Sequence, residues 1–274
     1  MPELPEVETV RRGLENNIID KKIASVFISD KKLRLPFPKN FSTDLKNKTI
    51  ISVKRRARYI IIELDKELNI LVHLGMTGKV IYQTKTPTPT IHDHCLISFS
   101  DKTSIIYNDP RRFGLIDLVK TSEIKNHKML KNLGPEPLSK EFNAKYLQSK
   151  LENKQMNIKT AMMDNEIVVG VGNIYINESL FQSSISPLKA AGNLKLNQLE
   201  NLIINIKKIL KKAIELGGST LRDYVNLHGD VGGFQFNFAV YGRTGQKCIV
   251  CDGIIKKIKQ NGRSSFYCQK CQQH

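Results

Sequence analysis

Two spacings of apolar residues divide the 274-residue chain. Near its start, apolar residues recur at the spacing of one helical face, which predicts a helix over residues 2–19. From about residue 22 to residue 119, short stretches rich in Val, Ile and Tyr are separated by Gly, Asp and Pro. This pattern predicts several strands in a β-sandwich rather than a parallel sheet. The residues of the predicted helical face are Val7, Val10, Leu14 and Ile18.

Helical spacing returns after GPEPLS at residues 134–139, a break rich in Pro and Gly. Ser139 is a candidate N-cap for a helix that runs through Leu151. A longer helix is predicted from Leu196 to Leu216, because its apolar residues keep the helical period and two glycines follow it.

Two further segments are rich in glycine. VVGVGNIYINESLF at 168–181 predicts a turn that opens into another helix. Residues 217–240 contain few periodic apolar positions and predict a long loop, which in a compact protein is usually functional or mobile. SDKT, which separates CLISF from SIIY, predicts a hairpin turn, and TPTPT at 86–90 predicts an exposed loop.

Charge adds the first indication of function. Lys and Arg number 43 against 26 Asp and Glu, a formal net charge of +17. Such an excess favours a polyanionic partner, foremost nucleic acid. A generally basic proteome would also explain it, because the chain is rich in Lys, Asn and Ile. No apolar run approaches the roughly 20 residues of a membrane span, and the acidic start does not resemble a signal peptide. These features predict a cytoplasmic protein with no membrane partner.

Four of the five cysteines form two pairs, each with two intervening residues. The pairs are separated by 16 residues, which is typical of a four-thiolate structural zinc site with no open coordination position. Disulfides are disfavoured in a reducing compartment. KKIKQNGRSSFY, between the pairs, predicts a basic hairpin that presents Arg263, and Cys95 is predicted to be a small buried apolar residue. The predicted ligands of one Zn²⁺ are Cys248, Cys251, Cys268 and Cys271.

The chain opens with MPELPEVET, its densest acidic cluster. After removal of Met1, Pro2 would carry a secondary amine whose pKa is far closer to neutrality than that of a lysine side chain. Attack of this amine on a sugar C1′ would give an iminium, an electron sink for eliminating neighbouring phosphates, with Glu3 as general acid. The alternative is a proline in a helical first turn, with acids that complement the helix dipole.

Seven spaced motifs resemble those of bacterial formamidopyrimidine-DNA glycosylases, which excise oxidised purines and then nick the strand. The motifs are MPELPEVETVRRGL at 1–14, HLGMTGK at 73–79, NDPRRFG at 108–114, GVGNIY at 170–175, GGSTLRDY at 217–224, VYGRTGQKC at 240–248 and GRSSFYCQKCQ at 262–272.

The resemblance implies an α+β multidomain protein. Its parts are an N-terminal helix with an antiparallel β-sandwich in residues 1–133, a helix-two-turn-helix domain in 134–239, and a C-terminal zinc-ribbon finger in 240–274. Segment 217–239 would close over a flipped-out base. The implied activity is that of a bifunctional glycosylase and abasic-site lyase that acts as a monomer on double-stranded DNA with oxidised bases or abasic sites.

The resemblance also implies residue roles. Pro2 would be the nucleophile, Glu3 the acid, and Arg263 the phosphate ligand linked to the second, δ elimination. Three residues match those that enter the duplex after base flipping, where an apolar wedge replaces lost stacking and an arginine meets the orphaned base: Met76, Arg111 and Phe113. The other implied DNA contacts are His73, His92, Lys154, Lys159 and Asn173.

Structural roles compete with several of these assignments. Met76 and Phe113 could be core residues, although each lies beside Gly in a polar turn. His73 and His92 could be structural, and Asn173 could cap the helix that it opens.

Arg58, in RRARYIIIEL, departs from the family, which usually has a lysine here that helps β elimination. Arginine keeps the charge and the phosphate affinity but stays protonated, and its planar group does not fit a lysine pocket identically. We expect Arg58 to keep the electrostatic role and lyase activity to be retained.

Three rival functions stay open. An endonuclease VIII-type glycosylase would remove oxidised pyrimidines, although PELPEVE and NDPRRFG favour the purine branch. A non-catalytic zinc-ribbon DNA-binding protein would explain the charge and the cysteines but not Pro2 and Glu3. A metal-dependent nuclease is disfavoured, because no Asp, Glu and His cluster suggests an open metal site.

Overall fold

The computed structural model describes residues 1–274 except 221–225, 228 and 274. This part of the chain forms two compact units, one of Met1–Lys131 with Leu216–Gly233 and one of Asn132–Glu215 with Phe234–His274. The helices are α1 (Leu4–Ile18), α2 (Phe41–Leu45), α3 (Ala144–Leu151), α4 (Ile158–Met162), α5 (Asn173–Gln182) and α6 (Leu196–Glu215). The strands are β1 (Ile23–Ile28), β2 (Ile50–Arg56), β3 (Tyr59–Leu64), β4 (Leu68–His73), β5 (Lys79–Gln83), β6 (Asp93–Phe99), β7 (Ser104–Asn108), β8 (Leu115–Lys120), β9 (Ile255–Gln260) and β10 (Arg263–Cys268).

Helix α1 begins directly after Glu3 and confirms the predicted N-terminal helix. Pro5 suits its first turn, where a backbone N–H would have no helical partner, and Glu6 complements the positive end of the dipole. The four apolar residues predicted to share one face are each at most 1% exposed. The helix therefore forms because its apolar face is buried in the core of the first unit.

The first unit contains two antiparallel four-stranded sheets, ordered β1-β6-β7-β5 and β2-β3-β4-β8. The predicted β-sandwich is confirmed. Strand β3 alternates half-buried with buried residues, whereas every residue of β6 is buried. Both sheets and α1 contribute to one apolar core, which includes Leu14, Ile62, Val72 and Ile97.

Tight turns join those neighbouring strands that are also consecutive in the chain. SDKT joins β6 to β7 as predicted, with the Phe99 N–H donating to the Thr103 carbonyl at 2.9 Å and Lys102 at a φ of 72°. The turn between β2 and β3 places Ala57 at a φ of 54°. Arg58 follows directly, so this turn orients it.

The second unit contains α3 to α6. Helix α6 confirms the predicted long helix, although it ends one residue earlier than predicted, before Gly217 and Gly218 with φ angles of 74° and 80°. The prediction that Ser139 caps α3 is wrong. Ser139 lies in a turn, and Asn143 is the N-cap because its Oδ1 accepts the Tyr146 N–H at 3.0 Å.

Residues 217–240 confirm the predicted loop as far as they are described. Their regular structure outside 221–225 and 228 is the short 3-10 helix Phe234–Asn237. The predicted basic hairpin is also confirmed: β9 and β10 pair antiparallel, with Asn261 and Gly262 between them at φ angles of 47° and 75°. An Asn-Gly pair suits such a turn, because both positions need a positive φ.

Among the described residues, no helix is long and apolar enough to cross a membrane.

Glu8 forms an ion-pair network on α1, and we expect its replacement to weaken the first unit. Its carboxylate lies 3.0 Å from Arg11 Nη2, 3.1 Å from Arg12 Nε and 2.9 Å from Arg55 Nε. Burial opposes ionisation of Glu8, but hydrogen bonds from Arg11 and Arg55 outweigh burial and lower its pKa. Glu8→Gln should reduce the free energy of unfolding by about 1–3 kcal/mol at pH 7, measured by urea unfolding.

A lowered carboxyl pKa stabilises the fold above the ordinary pKa, and this stabilisation is lost as pH falls through the folded value. The difference between wild type and Glu8→Gln should therefore shrink in acid. Glu15→Gln is the control, because Glu15 is 47% exposed and pairs with Arg11 alone in this network. We expect at most about 0.5 kcal/mol from it. Equal losses in both variants would contradict the assignment.

Candidate active site, nucleic-acid interface and zinc site

Pro2 and Glu3 are buried at the start of α1. The Glu3 N–H donates to Glu6 Oε2 at 2.8 Å, while Glu6 Oε1 accepts from the Ser219 N–H at 2.8 Å and hydroxyl at 3.0 Å. Glu6 is only 2% exposed. One buried carboxylate thus fixes both the residue after Pro2 and the beginning of segment 217–239. Sequence reasoning did not identify Glu6, although it lies in the acidic opening stretch.

Arg58 lies close to the amino terminus within the first unit. Its Nη1 is 3.7 Å from the Sδ of Met1, which is 50% exposed. While Met1 is attached, the nitrogen of Pro2 is an amide and cannot act as a nucleophile. Removal of Met1 would leave a secondary amine on Pro2, with the charge of Arg58 nearby.

His73 ends β4 and is uncharged at neutral pH. Burial is the main cause, and together with the charges of Arg58 and Arg34 it lowers the pKa of His73 to about 4, although Asp109 opposes the shift. His73 Nδ1 accepts the Gly75 N–H at 3.0 Å, so the ring proton lies on Nε2. The ring can therefore donate a hydrogen bond but does not provide a positive charge.

Three residues predicted to enter DNA lie on adjacent turns of the first unit. Met76 is 41% exposed and Phe113 is 49% exposed, so the alternative that they belong to the core is wrong. The Arg111 guanidinium lies over the Phe113 ring, 4.7 Å from its centroid. His92 is also exposed. A cavity of about 290 Å³ is lined by Met1, Arg34, His73, Gly75, Met76 and Phe113.

The second unit brings Arg263 and Lys159 to one cleft of about 330 Å³. Arg263 is exposed at the start of β10, with its Nη1 4.0 Å from Met163 Sδ. Lys159 is only 1% exposed, and its Nζ donates to the Ser264 carbonyl at 3.0 Å. Lys159 thus holds the residue that follows Arg263, a contact that its sequence position did not suggest.

Asn173 is the first residue of α5, and Gly172 is its N-cap. The alternative that Asn173 caps this helix is therefore wrong. Its side-chain amide lies 3.5 Å from the Tyr241 hydroxyl. Lys154, which is half-buried, precedes α4, and its carbonyl accepts the Gly192 N–H at 3.0 Å.

Glu178 is a second buried acid that sequence reasoning missed. Its carboxylate accepts backbone N–H groups from Ala239 at 2.8 Å, Val240 at 3.0 Å and Tyr241 at 2.8 Å. Glu178 is 3% exposed and lies on α5. This one side chain therefore anchors the backbone that leads into the finger.

The four paired cysteines form a metal site, with their sulfur atoms all within 4.8 Å of one another. Individual Sγ–Sγ distances are 3.8 Å for Cys248–Cys271, 3.5 Å for Cys251–Cys268 and 3.4 Å for Cys251–Cys271. Four sulfurs at about 2.3 Å from a tetrahedral zinc would be about 3.8 Å apart. The predicted single structural zinc is confirmed.

Backbone N–H groups complete this site. Val250 N lies 3.4 Å from Cys248 Sγ and Gly253 N lies 3.3 Å from Cys251 Sγ. Hydrogen bonds from such donors stabilise the negative charge of a thiolate sulfur. Cys95 lies apart from the four, in β6, where burial raises its pKa to about 12. Its predicted role as a buried apolar residue is confirmed.

We expect Cys271→Ser to reduce the bound zinc from one ion per chain to almost none, because three thiolates no longer close the tetrahedral shell. Zinc would be measured by atomic emission, and proteolysis of the finger should accelerate because metal binding and folding are coupled. Cys95→Ala is the control and should retain one zinc. Full zinc content in Cys271→Ser would contradict this assignment.

Comparison with known proteins identifies the fold. Residues 1–116 match the formamidopyrimidine-DNA glycosylase N-terminal domain, 133–225 the H2TH domain of the same family, and 245–273 the zinc finger found in FPG and IleRS. The formamidopyrimidine-DNA glycosylase of Wolbachia pipientis (strain wPip) is 47% identical over 272 residues, which cover 99% of this chain and 100% of that protein. That of Dinoroseobacter shibae is 43% identical, with 99% of this chain and 100% of that protein covered.

Solved structures agree with the sequence relatives. The Lactococcus lactis Fpg in complex with abasic-site DNA has a TM-score of 0.90 and 37% identity, covering 99% of this chain and 100% of that one. A MutM complex with carbocyclic 8-oxo-G DNA has a TM-score of 0.91 and 37% identity, with both chains fully covered at 100%. The two-sheet unit, the helical unit and the four-cysteine finger thus define a multidomain DNA-repair glycosylase fold. The chain belongs to the formamidopyrimidine-DNA glycosylase family.

Proposed function

We propose that this chain is a base-excision repair enzyme that removes oxidised purines, such as 8-oxoguanine and formamidopyrimidines, and then cleaves the strand as an abasic-site lyase. The observation that carries the proposal is the buried Pro2–Glu3 pair beside Arg58, in a chain similar over its full length to formamidopyrimidine-DNA glycosylases. Structures related to this chain hold DNA with abasic sites or oxidised bases.

The chemistry starts with the Pro2 amine, once Met1 has been removed. Its nitrogen attacks the sugar C1′ as the bond from C1′ to the damaged base breaks, and the amine N–H proton is given up to the departing base. Glu3 then protonates the ring O4′, so that the C1′–O4′ bond breaks and C1′ is left double-bonded to the Pro2 nitrogen. The resulting iminium withdraws electrons from the sugar, so loss of a C2′ proton expels the 3′ phosphate. A second elimination expels the 5′ phosphate. Glu6 is engaged by two backbone segments, and we assign the proton transfer to Glu3 because it is the acid next to Pro2 in the chain.

The exposed turns of the first unit would serve the opened duplex. Met76 and Phe113 supply apolar surface to the vacated stack, and Arg111 meets the orphaned base. Neutral His73 would donate a hydrogen bond from Nε2 rather than pair with a phosphate as a cation, and exposed His92 would contact the backbone.

The second unit would hold the phosphates. Arg263 is exposed beside its cleft and suits a phosphate that becomes a leaving group in the second elimination. Lys154 and Asn173 would contact the backbone, and Lys159 would act from within the cleft while it holds the Ser264 carbonyl. Segment 217–239 would close over the flipped base, although 221–225 and 228 lie outside the described residues. The zinc stabilises the finger and has no open coordination position.

Substrate preference and adduct formation distinguish the proposed activity from two other functions. An endonuclease VIII-type enzyme would prefer oxidised pyrimidines, which a panel of lesion duplexes tests directly. A non-catalytic zinc-ribbon protein would bind DNA without forming a covalent adduct. We further propose that the enzyme acts in the cytoplasm as a monomer.

The first test is borohydride trapping on an 8-oxoguanine duplex, after intact mass has established whether Met1 is absent. Wild type should give a covalent adduct that maps to Pro2. Pro2→Gly should remove most of the adduct, because the secondary amine is lost, and Glu3→Gln should reduce it at least tenfold. Glu123→Gln, an exposed acid of the same unit, is the control. Tight binding by a chain with a free Pro2 but no adduct would refute the enzymatic proposal.

Arg58 is tested by the reverse substitution. Since its guanidinium provides the positive charge near the amino terminus, wild type should already cleave abasic DNA, and Arg58→Lys should change that rate by less than about tenfold. Arg58→Ala should lower it further, because the charge is lost. An inactive wild type whose lyase activity is restored by Arg58→Lys would contradict this assignment.

A further inference from the structure

Asp109 follows β7 and is completely buried, at 0% exposure. Its carboxylate joins two separate turns of the first unit. Oδ1 accepts the Thr77 hydroxyl at 2.6 Å, and Oδ2 accepts the Gly114 backbone N–H at 2.8 Å. Thr77 directly follows Met76, and Gly114 directly follows Phe113. The same carboxylate is therefore bonded next to both exposed apolar residues.

Arg111, the third exposed residue, is connected to Asp109 through Thr77. The Thr77 hydroxyl accepts the Arg111 backbone N–H at 3.3 Å while it donates to Asp109. The Asp109 carbonyl also accepts the Arg112 N–H at 3.1 Å, and Arg112 has a φ of 57°. The segment between Asp109 and Phe113 is thus held at both ends and at Arg111.

The backbone of Asp109 is fixed equally well. Its N–H donates to the His92 carbonyl at 3.0 Å, and its carbonyl lies 3.0 Å from His94 Nε2. His94 is 1% exposed, and its other ring nitrogen contacts the Ser29 hydroxyl at 2.9 Å. These bonds attach Asp109 to the sheet, so that the carboxylate is a rigid anchor rather than part of a mobile loop.

Close packing leaves the two turns little freedom. A Cβ on Gly114 would lie 1.5 Å from the Tyr107 hydroxyl, and a Cβ on Gly75 would lie 2.5 Å from the Gly114 nitrogen. The Tyr107 hydroxyl donates to the His73 carbonyl at 3.0 Å. Backbone and side-chain atoms therefore fill the space next to Gly75 and Gly114, the glycines of the two turns.

We infer that Asp109, acting through Thr77, is a positioning residue that presents Met76, Arg111 and Phe113 to the duplex as one preorganised group. The inference rests on the proposed function and adds a residue outside the assigned DNA contacts. A buried carboxylate needs its donors, since leaving it without them is strongly unfavourable. The two turns consequently keep one relative arrangement before DNA binds, which reduces the entropy lost when three side chains enter the opened stack.

The test replaces Thr77 and compares two substrates. Thr77→Val keeps the side-chain shape but removes both hydrogen bonds of the hydroxyl, and Thr77→Ser restores the hydroxyl. Single-turnover rates would be measured on an 8-oxoguanine duplex and on a single-stranded abasic oligonucleotide, which has no base stack to enter. For Thr77→Val we expect the ratio of duplex to single-strand rates to fall about tenfold, with recovery in Thr77→Ser.

A fluorescent 2-aminopurine beside the lesion reports stack opening directly, and its signal should rise more slowly in Thr77→Val. Thr103→Val is the matched control, because the Thr103 hydroxyl also donates to an aspartate, Asp101, at 2.6 Å but lies in the β6–β7 hairpin turn. Its rate ratio should equal that of wild type.

Asp109→Asn gives an independent check. The amide NH₂ group of asparagine would replace one carboxylate oxygen and would face a hydrogen-bond donor from which it cannot accept, so we expect the same fall in the ratio. Equal losses on both substrates, or no loss, would overturn the positioning role while the wild type remains an active enzyme. An inactive wild type would instead refute the proposed function and the inference with it.

Discussion

Buried carboxylates that accept backbone N–H groups hold the functional segments of this basic protein in place. Glu6, Asp109 and Glu178 are 2%, 0% and 3% exposed. Glu6 and Glu178 accept N–H groups from segments that are distant in the sequence, and Asp109 accepts one from the far end of its own turn. Hydrogen bonds to a charged acceptor are stronger than neutral ones, and they are stronger still away from water. Lys and Arg outnumber Asp and Glu by 43 to 26. Acids nevertheless provide these fixed points, because a carboxylate accepts several backbone N–H groups, whereas Lys and Arg side chains have no acceptor atom.

Contacts of this kind also explain the acidic start of the chain. Glu8 binds arginines, Glu6 binds the backbone at Ser219, and Glu3 lies between them and Pro2. Glu3 also takes part in the capping box with Glu6 that begins α1, so the acid proposed for proton transfer contributes to the helix start as well. The first turn of a helix also favours negative charge. Structural and catalytic explanations of MPELPEVET are therefore compatible, because a capping residue at the start of α1 can also be the proposed acid.

Periodicity and spacing predicted α1, the sandwich, α6, the hairpins and the zinc ligands, because each depends on contacts between residues close in sequence or on a repeating pattern. They did not predict Glu6 with Ser219, Lys159 with Ser264 or Glu178 with Ala239, pairs separated by 213, 105 and 61 positions. The prediction that Ser139 is a cap, and the alternative that Asn173 is one, failed for a local reason. A polar residue near a helix start is common, and whether it caps depends on the entering backbone, which Asn143 and Gly172 supply instead.

In the finger, a zinc ion rather than a buried carboxylate holds separate parts of the backbone together. Zinc holds its two cysteine pairs, while the β9–β10 hairpin is fixed from the helices of its own unit by Lys159 at Ser264 and by Asn177, whose Oδ1 accepts the Phe266 N–H at 2.7 Å. Ser264 is adjacent to Arg263. The arginine side chain can therefore remain exposed and adaptable while its backbone is immobile. In both units, buried polar atoms fix the backbone, and the exposed side chain next to it is the one to which the proposed function assigns a DNA contact. Exposure alone, without these anchors, would not have distinguished these side chains from other exposed ones.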